Sequence, residues 1–331
     1  MNKIKQSALL VLTLFFYPAC LIAQPGADRE HGISGDALFG IGYINSDSFL
    51  STANEDPISD LQGDRPSGTK VIPTIIGRVT YTFEDTNQQI YLGINRQKAV
   101  RGSFAPELGY RVHTGQYQFF EVALLPGIQP SGVWEDPYLT GEKRRETDRH
   151  LTAIRARAEH IWGPLSLEVA YGDSKIDQEE SGVYENLLPD ERAALDRNAS
   201  VRYLGADLTI PLGRGFILRP SLFNFRNDAE GEAMSFDTYG AELGLVYRSG
   251  RHTIIGAYSY EQLDYDAVNP IFASEREDNL NNLFAIYSFA EPFGFENTTL
   301  TLILSDRARD SDISFYEEES FLFGGGIRFI F

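Results

Sequence analysis

The sequence predicts an all-β protein: a closed antiparallel transmembrane β-barrel of about 14 strands, within a range of roughly 12–16. Three observations carry that reading. Apolar residues alternate with polar or small ones along most of the chain. The connectors between the alternating segments are short and long by turns. The final segment alternates to its end and closes on an aromatic, Phe331.

The first element is an address. Lys3 and Lys5 precede an apolar run, Ala8–Phe16, which Pro18 ends, and Leu21, Ile22 and Ala23 follow before Gln24. This pattern predicts a secretory signal peptide over residues 1–23, cleaved after Ala23. A helix crossing a bilayer needs about 20 apolar residues, so the run is too short to span. Cys20 raises lipid attachment as a rival, but Tyr17, Pro18 and Ala19 fit a lipoprotein signal poorly. Residues 24–331 are then expected to form one barrel domain.

Fourteen segments follow the strand pattern: Ile33–Asn45, Val71–Phe83, Gln88–Asn95, Phe104–His113, Tyr117–Leu125, His150–Ile161, Leu165–Asp173, Ser200–Ile210, Phe216–Phe225, Ser235–Tyr247, His252–Glu261, Leu280–Phe289, Thr298–Ser305 and Ser320–Phe331. Leu165, Leu167, Val169 and Tyr171 show the alternation plainly. Successive side chains on a strand point to opposite faces, so each segment has one greasy and one mixed face. Each is near the roughly 9–11 residues that a tilted strand needs to cross a membrane. One short helix is expected, at Pro189–Arg197, with Pro in the first turn and acids after it.

Connectors such as Trp162–Pro164 and Arg248–Arg251 are short. The long ones are Ser46–Lys70, Arg96–Ser103, Pro126–Arg149, Ser174–Ala199, Arg226–Met234, Gln262–Asn279 and Asp306–Glu319. Membrane barrels have short periplasmic turns and long outer loops. Closure is required because every backbone N–H and C=O in lipid must be paired. On the closing strand Phe321, Phe323, Ile327, Phe329 and Phe331 share one face. Phe329 and Phe331 stand where an outer-membrane barrel carries its assembly signal, so the barrel-assembly machinery is an expected partner.

Charge narrows the function. The 331 residues carry 29 Lys and Arg against 47 Asp and Glu, for a formal net charge of −18. That balance argues against nucleic acid, which needs a basic face. By these boundaries the long connectors hold about two thirds of the acids and just over half of the bases. They form a solvated acidic surface, and three roles are open to it: solubility, an acidic mouth that gathers cationic or neutral solutes, and divalent-cation bridging to lipopolysaccharide.

The mixed faces bear both signs. Arg78, Glu107, Arg111, Glu121, Arg155, Arg157, Glu159, Glu168, Arg219, Glu242 and Arg328 should face the lumen, because Arg or Lys on the lipid face costs roughly 2–4 kcal/mol at the midplane. They line a water-filled pore or form salt-bridged ladders filling a closed barrel. About 14 strands enclose more than their side chains can fill, which favours the pore. Arg155 and Arg157 would then oppose the acidic loops. The third long loop holds Trp134 among dense charge. It either folds inward as a constriction of Trp134, Glu135, Asp136, Arg144, Arg145 and Arg149, or packs on its neighbours through Trp134 and Tyr138.

Two runs, VWEDPYLTGEKRRETDR (Val133–Arg149) and LPDERAALDRNA (Leu188–Ala199), together with the closing strand, resemble a Gram-negative family, domain-of-unknown-function family 2860. The resemblance covers nearly the whole chain after residue 23. It implies an outer-membrane, porin-like barrel and supplies no activity, ligand or catalytic residue.

Catalytic and metal motifs are absent from the sequence. None of the five His lies in HExxH, GxSxG does not occur, and the single Cys excludes Cys-based zinc sites. No cofactor or metal is expected. His150 and Ser174, both near the outer rim, are the one base–nucleophile pair to consider. The expected function is a passive channel for small solutes in the outer membrane with a modest cation preference. The alternatives are a closed barrel whose acidic loops serve adhesion or envelope structure, and a barrel lipid hydrolase or acyltransferase.

Overall fold

A computed structural model describes residues 30–84, 87–94, 106–128 and 130–331. The expected signal peptide with Cys20, and the second long loop, Arg96–Ser103, lie outside these residues. The strands are β1 (Gly32–Asp47), β2 (Ser67–Thr82), β3 (Gln88–Ile94), β4 (Pro106–His113), β5 (Phe119–Pro126), β6 (Ser131–Trp134), β7 (Glu146–Trp162), β8 (Leu165–Ile176), β9 (Ala199–Leu208), β10 (Ile210–Gly213), β11 (Phe216–Ala229), β12 (Phe236–Ser249), β13 (His252–Tyr265), β14 (Glu277–Ala290), β15 (Thr298–Ser311) and β16 (Glu318–Ile330).

Fourteen of these make the wall. Each pairs antiparallel with its sequence neighbour, and β1 pairs with β16 to close the cylinder. β10 continues β9 along β11, and β6 is a short ribbon on the outer end of β7. All fourteen expected segments are therefore wall strands. At the outer ends the strands run further than expected: β7 begins at Glu146, and β15 continues to Ser311. Above the bilayer both faces of a strand meet polar surroundings, so pairing continues where alternation has stopped. The expected helix is shorter, Pro189–Ala193, with the Glu191 carboxylate accepting the Leu188 N–H at 2.8 Å. Beyond it Leu195 turns inward and is fully buried.

The outer face is apolar. Ile41, Ile75, Leu124, Leu204, Leu222, Leu243 and Leu283 are exposed there, with aromatic rings such as Phe293, Phe295, Phe329 and Phe331 near the short-turn rim. A closed sheet with this belt and a polar inside is built for lipid. The short turns are tight. Gly215 adopts φ +84°, and a Cβ there would lie 2.1 Å from the Arg248 carbonyl oxygen, so only glycine fits.

Inside, two regions differ. Apolar side chains from β5 to β11, including Leu125, Val201, Phe223 and Phe225, pack together towards the outer half. On β1 and β12, by contrast, Gly42 and Gly244 face inward. A Cβ built at either would meet only atoms of the adjoining strand, no nearer than 3.8 Å and 3.5 Å.

Candidate functional site

The inner wall carries one continuous ionic network. Arg155 on β7 donates to Glu107 at 3.1 Å, to Glu121 at 2.6 Å and to the Tyr91 hydroxyl at 3.2 Å, with Glu168 at 3.5 Å. Arg78 reaches Glu107 at 3.0 Å, and Arg111 grips Glu121 at 2.5 and 2.8 Å. Arg157 contacts Glu159 at 2.6 Å, Asp207 at 2.8 Å and Glu168 at 3.5 Å. Arg219 closes the series on Asp207 at 3.0 Å and Glu159 at 3.7 Å. Five arginines thus face five carboxylates. The pairs are adjacent because alternation sends every second residue inward and antiparallel register sets Glu121 beside Arg157, and Arg157 beside Glu168.

All eleven expected inner residues lie on the inner face, and nine of them join this network. Glu242 is buried on β12, and Arg328 on β16 donates to Thr299 at 3.4 Å. Arg155 and Arg157 do not act as free luminal cations. They are 1% and 4% exposed, sealed among acids. Asp207 and Tyr91 belong to the network and were missed. The outward run Leu204, Ala206 and Leu208 already sets Asp207 inward, so its place was readable.

Over the network sits a lid. Phe49 and Ile58 of the first long loop, Tyr138 of the third, Leu195 of the fourth, Met234 of the fifth and Phe315 of the seventh form one hydrophobic core, against which Ile271 and Phe272 of the sixth pack. Phe49 and Phe315 stack at 5.1 Å, and the Tyr138 and Tyr316 hydroxyls share a hydrogen bond of 2.6 Å. Burial raises the pKa of both phenols.

The third loop packs on its neighbours and buries three of its six candidates, Trp134, Asp136 and Arg144. Trp134 is 2% exposed, and the Arg144 guanidinium stacks 4.4 Å from its ring. Arg144 donates to the Phe49 carbonyl at 2.5 Å, and burial pulls its pKa down to about 10. Asp136 accepts the N–H groups of Tyr138 and Gly182 at 2.9 and 3.1 Å. Arg145 instead stands at the surface, paired with Glu135 at 2.7 Å and Glu180 at 3.1 Å. Arg149 points inward beneath the loop. Arg197, which the sequence did not single out, ties the loop down through the carbonyls of Trp134 and Glu135, at 2.8 and 2.9 Å.

Between lid and wall lies a cavity of about 140 Å³, with Trp134, Tyr138, Tyr316 and four arginines among its lining residues.

His150 and Ser174 are not brought together. His150 lies on the outward face of β7, where its Nδ1 pairs with the Gly127 carbonyl at 2.9 Å; Ser174 is buried on the inner face of β8. Asp148, His150 and Asp177 place ligand atoms within 4.8 Å of one another on the outside.

Fold and apolar outer belt together define an integral β-barrel of the outer-membrane type. The chain belongs to the DUF2860 family, described as proteins of unknown function, whose model matches residues 32–330. No curated protein shows significant similarity to the sequence. Among solved structures the chain is similar to the outer-membrane channel DcaP of Acinetobacter baumannii, with 10% identity, 91% of this chain and 98% of that one covered, and a TM-score of 0.45. It is similar to Pseudomonas aeruginosa OprD at 11% identity, 91% and 97% coverage and a TM-score of 0.40. A loop-deleted OmpT of Vibrio cholerae matches at 10% identity, 91% and 100% coverage and a TM-score of 0.40.

Proposed function

We propose that the barrel is a passive channel for small solutes, modestly cation-preferring, whose outer mouth is covered by the loop lid. The size of the closed wall carries this reading, together with inward Gly42 and Gly244, which put no side chain of their own into the lumen. A wall of 14 strands encloses more space than its own side chains fill. The ionic network lies against one side of the wall and is internally balanced, so it contributes little net field. The net field at the mouth comes from the acidic loops, and it is screened beyond roughly 8 Å at physiological salt.

Planar-bilayer recording tests the proposal. Folded protein should conduct, and the reversal potential across a salt gradient should show a cation preference that declines as salt rises. Anion preference would remove the selectivity claim. Folded protein that never conducts would remove the channel and favour the closed structural barrel.

A further inference from the structure

The cavity under the lid has a composition that the acidic loops do not suggest. Its charged lining residues are all arginine: Arg149 from β7, Arg309 from β15, Arg197 from the fourth loop and Arg276 from the sixth. Among the described residues no carboxylate lines it. Glu179 stands behind Arg197 at 2.8 Å, and Asp278 is shared by Arg276 at 2.5 Å and Arg309 at 2.9 Å. These acids hold the guanidinium groups in place from outside the cavity. The Arg276 guanidinium is also clamped over the Tyr316 ring at 3.5 Å and the Tyr265 ring at 4.2 Å. Asp278 takes the Nε and one Nη of Arg276, and Glu179 the Nε of Arg197, so a bound carboxylate would meet the other edge of each fixed guanidinium, while the aromatic walls suit a flat apolar body.

We propose that this cavity is a binding site for a small organic anion, a monocarboxylate with a planar ring of about benzoate size. The proposal deepens the channel reading by naming the solute class taken up at the mouth. It is compatible with a bulk cation preference, because the loop field is diffuse and screened while the site acts by contact. The cavity joins wall and lid, so a bound anion would bridge arginines of both.

Calorimetry on the folded barrel in detergent at low salt tests the site, with benzoate, neutral benzamide and cationic benzamidine as probes. The expected result is saturable binding of one benzoate per barrel and none of the other two. Arg276→Gln should weaken benzoate at least tenfold. Ser174→Leu, which fills the cavity and leaves every arginine, should abolish binding; heat-modifiable mobility on gels checks that each variant is folded. In a Trp162→Phe protein, Trp134 is the only tryptophan, so its emission should follow the same isotherm. Equal binding of benzamide would show an apolar pocket only and overturn the proposal, as would no calorimetric binding of benzoate. The channel reading fails separately. A conducting barrel that does not bind benzoate loses the site and keeps the channel; a non-conducting barrel that binds it keeps the site and loses the channel.

Discussion

Phe331 and Gly35 exchange two backbone hydrogen bonds, from the Gly35 N–H at 2.7 Å and from the Phe331 N–H at 3.0 Å. The Phe331 ring lies over Gly35, where a Cβ would come within 2.8 Å of it. The last residue of the chain therefore extends the β1–β16 seam that closes the barrel.

Deleting Phe331 should impair assembly. It removes the two bonds, together about 2 kcal/mol, and the terminal aromatic of the closing strand. Outer-membrane fractions should hold several-fold less heat-modifiable barrel. An unchanged folded yield would show that the seam closes without this residue.

Arg155→Met should destabilise the folded barrel by about 3–5 kcal/mol, because it strands Glu107, Glu121 and Glu168 without their shared cation. Urea unfolding followed by gel mobility measures this. Adding Glu168→Gln to the same protein should restore most of the loss, because it rebalances the charge while Arg157 keeps Glu159 and Asp207 and Arg78 and Arg111 keep Glu107 and Glu121. If the double variant is no more stable than the single one, unbalanced charge is not the cause.

The lid should come apart without the barrel. Phe315→Ala removes a fully buried ring that meets Phe49, Tyr138 and Phe272, a loss of roughly 3–5 kcal/mol. Protease added to intact cells should then cut the outer loops of the variant and spare the parent. Barrel mobility should not change. Protection equal to that of the parent would mean the loops are held by their ion pairs instead.

Trp134 and Trp162 should report two environments. One is 2% exposed beneath the lid and the other 76% exposed at the short-turn rim. Emission from the Trp162→Phe protein should be blue-shifted and hard to quench with acrylamide. Emission from a Trp134→Phe protein should follow the detergent or lipid around it. Identical quenching in the two would contradict the packed lid.

Mature protein should begin at Gln24. N-terminal sequencing of barrel from outer-membrane fractions checks this, and a diacylated Cys20 in first position would refute it.

Wall strands were legible because lipid on one side and a polar lumen on the other write a period of two into residues such as Leu165, Leu167 and Val169. The inward charges were legible for the same reason. Their pairing was not, since it depends on register between strands far apart in sequence: Arg157 and Asp207 meet only because β7, β8 and β9 align. The lid was hidden for another reason. Phe49, Ile58, Leu195 and Phe315 stand singly in acidic loops with no period to mark them, and only the closure of the barrel brings those loops over one point. An arginine-lined cavity under a strongly acidic surface could not be read from net charge, which averages over both.

The interlocked network also constrains how this sequence can drift. Glu107, Glu121, Glu159, Glu168 and Asp207 each touch two of the five arginines. Changing any one of these ten side chains unbalances charge held out of water. Substitutions here are tolerable mainly in compensating sets, so related sequences should trade acid and arginine together within and between strands. Positions on the lipid face, where one apolar side chain replaces another at little cost, should vary independently.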